Sequence, residues 1–191
     1  MLKHQAQASL PTEFGRFEVH VFTDLNSQEE IIVLSQLAQV QTVPWIRIHS
    51  ACVTGDVFHS RKCDCGQQLA LAMADIHKSG GLLIYLPQEG RGIGLINKIK
   101  AYAKQDAEQL DTVEANLKLG LPVDARHYDQ ACQVLDYFQL RKVILLSNNP
   151  HKMAALTAAG FDVERRPLLT ERTPENQNYL NTKALKMEHL L

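Results

Sequence analysis

The spacing of apolar positions changes character near Gly66, from a period of two to a period between three and four. Before that point the chain reads as β. Phe17, Val19 and Val21 alternate with Glu18, His20 and Phe22, which predicts a half-buried strand. Residues 31–34 form a short apolar run, and residues 43–48 alternate around Trp45. After Gly66, Leu69, Met73, Ile76 and His77 recur at helical intervals, and Gly80-Gly81 ends that helix. Residues 82–86 predict a strand halted by Pro87. Residues 94–104 predict a helix with Leu95, Ile99 and Tyr102 on one stripe. A short helix fits 112–119, where Gly120-Leu121-Pro122 breaks it. A further helix fits 128–138, with Cys132, Leu135 and Phe138 near its buried side.

The last third carries the clearest unit. Residues 143–146 are a β run followed by Ser147-Asn148-Asn149-Pro150. Asn149 suits a helix N-cap and Pro150 the first helical position. The helix runs to Ala159, Gly160 closes it, and residues 161–164 return as a strand. This is a βαβ unit, and with the preceding elements it predicts one α/β domain over residues 1–191, a mixed β-sheet core covered by helices. From about residue 173 the tail is polar, then weakly helical from Asn178. Both an ordered cover over a site and a frayed end are compatible with it.

Composition narrows the function classes. The chain of 191 residues is 45% hydrophobic and 21% charged, enough to bury a core and unlike a disordered segment. Its 20 Lys and Arg against 21 Asp and Glu leave a formal charge of -1, which argues against nucleic-acid binding through a broad basic surface. The longest apolar run, residues 82–86, is far too short to cross a bilayer, and the first residues lack an apolar signal core. A soluble cytoplasmic protein without nucleic-acid or membrane partners is expected.

Candidate chemistry is concentrated in two places. Cys52, Cys63 and Cys65 fall within 14 residues, while Cys132 stands apart. The Cys63-x-Cys65 spacing is tighter than a zinc knuckle and differs from the redox Cys-x-x-Cys. Three thiolates would leave one tetrahedral position for water, the arrangement of a catalytic zinc. Two other readings stay open: isolated buried thiols, and a structural four-ligand site completed by His49 or His59. The second place is Gln88-Glu89-Gly90-Arg91-Gly92-Ile93-Gly94, between a predicted strand and a predicted helix, where glycines and helix amides suit an anion. It matches neither the dinucleotide fingerprint nor a P-loop. Arg91, Lys98, Lys100 and Lys104 cluster there, with most of the lysines expected to be solvated. Lys152 follows the Asn149-Pro150 cap and can meet a phosphate. Asp124 and Arg126 would face one side of an extended stretch; a surface salt bridge is the plainer reading.

Taken together, Arg47-Ile48-His49-Ser50-Ala51-Cys52, Cys63-Asp64-Cys65-Gly66-Gln67-Gln68, Gln88-Glu89-Gly90-Arg91-Gly92-Ile93-Gly94, Asp111-Thr112 to Asn116 and Ser147 to Pro150 closely resemble GTP cyclohydrolase II, the first enzyme of riboflavin synthesis. The match runs in order from about Leu10. The resemblance is to the monofunctional form, since larger relatives add a dihydroxybutanone phosphate synthase domain. It implies a homodimeric zinc enzyme, one Zn2+ per chain, that also uses Mg2+ with the triphosphate. The implied substrate is GTP, and the implied products are formate, pyrophosphate and 2,5-diamino-6-(5-phosphoribosylamino)pyrimidin-4(3H)-one.

By the same resemblance Cys52, Cys63 and Cys65 hold zinc, and Arg126, Asp124 and Tyr102 are catalytic: nucleophile at the α-phosphate, proton acceptor, and tyrosine near the reacting ring. Arg47, Ile48, His49, Ser50, Ala51, Gln68, Glu89, Gly90, Arg91, Thr112, Ser147 and Lys152 fall at nucleotide-contact positions. The chain departs from the family pattern at Ala51, usually Glu, at Pro87, usually Arg, and at Ser147, commonly Thr. Alternatives are a paralogue that opens another purine nucleotide or stops at the formylated intermediate, and a non-catalytic structural-zinc module.

Overall fold

The structure, a computed structural model, describes residues 1–187 and Leu190. Its core is one mixed sheet of seven strands among the described residues: β1 (Leu2–Thr12), β2 (Gly15–Asp24), β3 (Glu30–Gln36), β4 (Trp45–Ser50), β5 (Gly81–Leu86), β6 (Lys142–Leu146) and β7 (Asp162–Arg166). The order is β1-β2-β3-β5-β4-β6-β7. Pairs from β1 to β5 are antiparallel, and pairs from β5 to β7 are parallel. The helices are α1 (Val53–Asp56), α2 (Cys65–Ser79), α3 (Gly94–Glu108), α4 (Thr112–Lys118), α5 (Asp129–Tyr137), α6 (Pro150–Ala158) and α7 (Gln177–Lys186). The predicted mixed sheet and its C-terminal βαβ unit, β6-α6-β7, are therefore present.

Both faces of the sheet are covered. On one, Phe22, Ile31, Val33, Ile46, Ile48, Leu82 and Ile84 pack with Val134 and Leu135 of α5 and Leu156 of α6. On the other, Phe17, Leu34 and Leu83 pack with Ala72 and Ile76 of α2. The expectation of a half-buried β2 is corrected here: Phe17 and Phe22 have opposite parity, and each faces its own helical layer, so both are buried.

Two other expectations change. β1 escapes prediction because its sequence is largely polar and both its faces are mostly exposed; it is an edge strand with a register shift between His4 and Ala6. On α3 the inward residues are Lys98 and Ala101, whereas Leu95, Ile96 and Ile99 are exposed. The apolar stripe of that helix thus faces away from the core, and Lys98 is buried instead of solvated.

The topology fixes where a ligand can sit. From β4 the chain crosses through α1 and α2 to β5 on one side, and after α3, α4 and α5 it returns to β6 on the other side of β4. Strand order reverses at β4, and such switch points open a crevice beyond the carboxyl ends of parallel strands. Here β4 and β6 pair only through Trp45 with Ile144 and Ile46 with Leu145 before they part. The Gly80-Gly81 turn that feeds β5 lies hard against its neighbours: a Cβ on Gly81 would stand 1.9 Å from the Trp45 carbonyl oxygen, and its φ of +148° adds backbone strain for any other residue.

Candidate active site

Beyond the ends of β4, β5 and β6 lies a cleft that opens to solvent. Arg47 lies at its floor, where β4 and β6 separate. Its Nη1 donates to the Leu146 carbonyl at 3.0 Å and its Nη2 to Gln68 Oε1 at 2.6 Å. Burial pushes this guanidinium down to about 10.

The loop after β4 bends back through α1 so that Cys52 meets Cys63 and Cys65, whose ligand atoms all lie within 4.8 Å of one another. Asp56 holds that bend. Its carboxylate accepts from the Cys52 amide at 3.0 Å, His49 Nε2 at 3.1 Å and the Tyr85 hydroxyl at 2.9 Å. Gly55 is pressed against the thiols: a Cβ there would stand 2.9 Å from Cys63 Sγ and 3.3 Å from Cys52 Sγ. His49 is engaged by Asp56, His59 is exposed, and neither joins the cluster, so the four-ligand alternative has no support among the described residues. Lys98 Nζ lies 3.1 Å from Cys52 Sγ, 2.8 Å from Glu89 Oε1 and 2.8 Å from Thr54 Oγ1. Neighbouring thiols, Cys63 first, and this cation hold the Cys52 thiol well below the usual range. Three clustered sulfurs on an open cleft, with a cation against one of them, fit a zinc ion with one position left accessible.

The loop after β5 presents the anion segment. Glu89 is fixed by the Val53 amide at 2.7 Å and by Lys98, and Arg91 is held at a φ of +63°. For a non-glycine residue that is a strained conformation, of the kind found at ligand-binding turns. Both terminal nitrogens of Arg91 are buried without a partner among the described residues, as is Arg47 Nε. The loop after β6 is the capped turn read from the sequence: Asn149 Oδ1 accepts from the His151 amide at 2.9 Å, and Pro150 opens α6. Lys152 is buried, donates to the Ile48 carbonyl at 2.7 Å, and is pushed well below its ordinary range by burial and by Arg47, Arg126 and Lys183.

Six cationic residues line the cleft, namely Arg47, Arg91, Lys98, Arg126, Lys152 and Lys183, and Glu89 is the one carboxylate among the described lining residues. Such a field favours a polyanion. Arg126 is gripped by Asp124 through Nε at 2.8 Å and through Nη2. Burial opposes its charge, but Asp124 raises its affinity for the proton above the ordinary arginine value, so it stays a cation. Burial pushes Tyr102 up to about 12, so its phenol keeps its proton at neutral pH.

Of the residues singled out in the sequence, Arg47, His49, Ser50, Ala51, Gln68, Glu89, Gly90, Arg91, Thr112, Ser147, Lys152, Tyr102, Arg126 and the three cysteines all line this cleft. Ile48 does not: its side chain is in the core, and only its carbonyl faces Lys152. Asp124 lies behind Arg126, in a shallow groove with His127 and His151. Cys132 packs against the core from α5, apart from the thiol cluster. Sequence reasoning quoted Gln88 and Asn116 within motifs without giving them a role and missed Gln105, Tyr179 and Lys183; all five also line the cleft. For the last two a signal existed, since residues four apart share a helix face.

Comparison with known proteins agrees with this arrangement. The profile of the GTP cyclohydrolase II family matches residues 3–167. The chain is 50% identical over 193 aligned residues to GTP cyclohydrolase-2 of Neisseria meningitidis serogroup B, covering 100% of this chain and 98% of that protein. It is 47% identical to riboflavin biosynthesis protein RibBA of Staphylococcus saprophyticus and 48% identical to that of Staphylococcus haemolyticus, and it spans about half the length of each: 48% and 47%. Among solved structures, RibBX, a two domain 3,4-dihydroxy-2-butanone 4-phosphate synthase from A. baumannii, shares the fold at a TM-score of 0.50 and 19% identity, over 88% of this chain and 40% of that one. A thiol triad and a cation-lined crevice at the sheet's switch point, together with the profile match over most of the chain, place it in the GTP cyclohydrolase II family.

Proposed function

We propose that the chain opens the imidazole ring of GTP, releasing formate and pyrophosphate and leaving 2,5-diamino-6-(5-phosphoribosylamino)pyrimidin-4(3H)-one for riboflavin synthesis. The observation that carries this reading is the sharing of one cleft by the three thiols and the six cations. A metal-dependent hydrolysis and a triphosphate thus have their sites side by side.

Cys52, Cys63 and Cys65 would hold the zinc, which when bound would supply Lewis acidity and lower the pKa of a water toward neutral. Around it, Tyr102, kept protonated, donates a proton to a ring nitrogen as the ring opens. Arg91, with unpartnered nitrogens, and Lys152 receive phosphate oxygens. Arg126 stays charged and oriented by Asp124, so it stabilises charge on the phosphate that loses pyrophosphate. That role suits a guanidinium better than nucleophilic attack does. Glu89 is occupied by Lys98 and the Val53 amide, so the described residues of the cleft offer no free carboxylate for a second ion, and Mg2+ would be carried by the nucleotide's phosphates.

The reading extends to a cytoplasmic homodimer. Leu95, Ile96 and Ile99 of α3 and Val57 and Phe58 after α1 are exposed apolar residues on the cleft-forming loops and helices, and a second copy would cover them. No helix among the described residues is long and apolar enough to cross a membrane.

The test is direct. Zinc-loaded protein is incubated with magnesium and GTP, ATP, ITP or XTP, with formate and pyrophosphate quantified and the pyrimidine identified by mass. GTP yielding both small products and the diaminopyrimidine supports the proposal. Pyrophosphate with a formylated product, preference for another nucleotide, or no turnover at full zinc loading would each replace it.

A further inference from the structure

The C-terminal helix enters the reading above only through the charge of Lys183, one of the six cations of the cleft. The matched family segment ends at residue 167, and α7 begins ten residues later at Gln177, yet Tyr179 and Lys183 both line the cleft. They lie four residues apart and so share one face of α7. Leu180 beside them is buried, and the helix is docked at its far end by Lys186, which pairs with Asp111 and, at 3.1 Å, with Glu114 of α4.

The strongest tie is deeper. Lys183 Nζ lies 2.6 Å from Asp64 Oδ1, with Asp64 fully buried between two of the clustered cysteines and Lys183 nearly so. Asp64 Oδ2 accepts from Gln68 Nε2 at 2.7 Å, and Gln68 Oε1 in turn accepts from Arg47 at 2.6 Å. A continuous chain of hydrogen bonds therefore runs from α7 to the cleft floor. It commits both ends of the Gln68 amide: nitrogen to Asp64, oxygen to Arg47. Removing Lys183 would leave a buried carboxylate without its cation, and the cheapest relief is for Asp64 to turn, which frees Gln68 to flip. Tyr179 lies on the same side. Its ring centroid is 4.5 Å from Lys183 Nζ and 5.7 Å from the Arg91 guanidinium, so the ring spans the gap between the anion loop and the Asp64 pair beside the thiols.

We infer that α7 is a wall of the nucleotide site, with Tyr179 a substrate-contact residue covering the purine and Lys183 a positioning residue that fixes Gln68 and Arg47 through Asp64. The inference rests on the nucleotide reading and adds residues to it. An aromatic ring on the cleft wall with two cations held against it is suited to a flat heterocycle that carries phosphates.

The experiment uses the full chain loaded with zinc. Lys183→Met should raise the KM for GTP about tenfold, a loss of about 1.4 kcal/mol of binding, while kcat falls less and zinc content is unchanged. Lys183→Arg keeps the ion pair and should stay within about threefold of the parent. Tyr179→Ala should weaken binding of β,γ-imido GTP, read by equilibrium dialysis, by about tenfold, and Tyr179→Phe should not, because the stacking face is kept. Unchanged KM and dialysis constants in Lys183→Met and Tyr179→Ala would overturn the inference. So would Lys183→Arg as impaired as Lys183→Met, or zinc loss in Lys183→Met, which would make Lys183 a support of the metal site alone. If the intact parent chain turns over no GTP, the nucleotide reading fails and this inference falls with it; parental turnover with unaffected variants defeats this inference only.

Discussion

One sheet contains two kinds of neighbourhood. In the antiparallel part, β1, β2 and β3 are joined by turns of two and five residues (13–14 and 25–29), and no residue before Arg47 lines the cleft. In the parallel part, β5, β6 and β7 are each reached by a long crossover, and those crossovers carry the thiols, the anion loop, Arg126 and Lys152. Apart from the exposed edge strand β1, both parts contribute to one shared core, with Phe22 and Ile48 both near zero exposure. The difference between them is therefore one of connection and not of packing: hairpins leave no chain to spare for chemistry, and crossovers do.

The contrast can be broken most sharply on the parallel side. Cys63→Ser or Cys65→Ser should abolish zinc binding and ring opening together, because two thiols no longer close a three-sulfur site; metal analysis beside formate release checks this, and full zinc retention in both variants would remove the site. Arg126→Lys should keep zinc and lower pyrophosphate release by at least about a hundredfold, since lysine lacks the fork that both Asp124 and a phosphate use. The antiparallel side should answer differently. Phe22→Ala should cost about 3–5 kcal/mol of stability, seen as a lower urea midpoint, with turnover per folded molecule unchanged. A large fall in turnover at constant folding would dissolve the distinction.

Two pH experiments sharpen it further. Lys152 has its proton affinity lowered by burial and by three neighbouring cations, and an arriving polyanion should raise it again. Nucleotide binding should then take up protons and weaken as pH rises, which calorimetry in buffers of different ionisation enthalpy would register. On the antiparallel side, burial lowers the His20 pKa, with His4 adding to the effect and Glu18 opposing it. A histidine kept neutral by the fold binds its proton more readily when unfolded, so stability is full above the unfolded value of about 6.5 and declines as pH falls below it. A urea midpoint that does not fall between pH 7 and 5, or falls equally in His20→Asn, would contradict this smallest effect.

The parts legible in the sequence share a physical cause. The strands from β2 to β6 announce themselves because burial on one or both faces demands apolar residues, and α6 because its cap uses the Asn-Pro pair that suits a helix start. β1 is illegible because an exposed edge needs no apolar side. The α3 stripe was readable but its direction was not: Leu95 and Ile99 satisfy a helical period, yet Lys98 turns inward because Glu89, Thr54 and Cys52 neutralise it there, and those partners lie up to 46 residues away. The candidate site residues were legible as a set of motifs, and what could not be read was their depth. Nothing local distinguishes Ile48, whose side chain is in the core, from His49, which borders the cleft. The docking of α7 was equally hidden, because its deepest contact, Lys183 with Asp64, spans 119 residues.

The outer edge of β1 has a bearing on how copies of this chain can meet. A free strand edge is a template for another strand, but here Lys3, the register shift at Gln5 and Pro11 interrupt the row of available amides. At the opposite margin β7 alternates Glu164 with Arg165 and Arg166. Lateral growth of the sheet into ribbons or fibrils is thereby disfavoured at both edges.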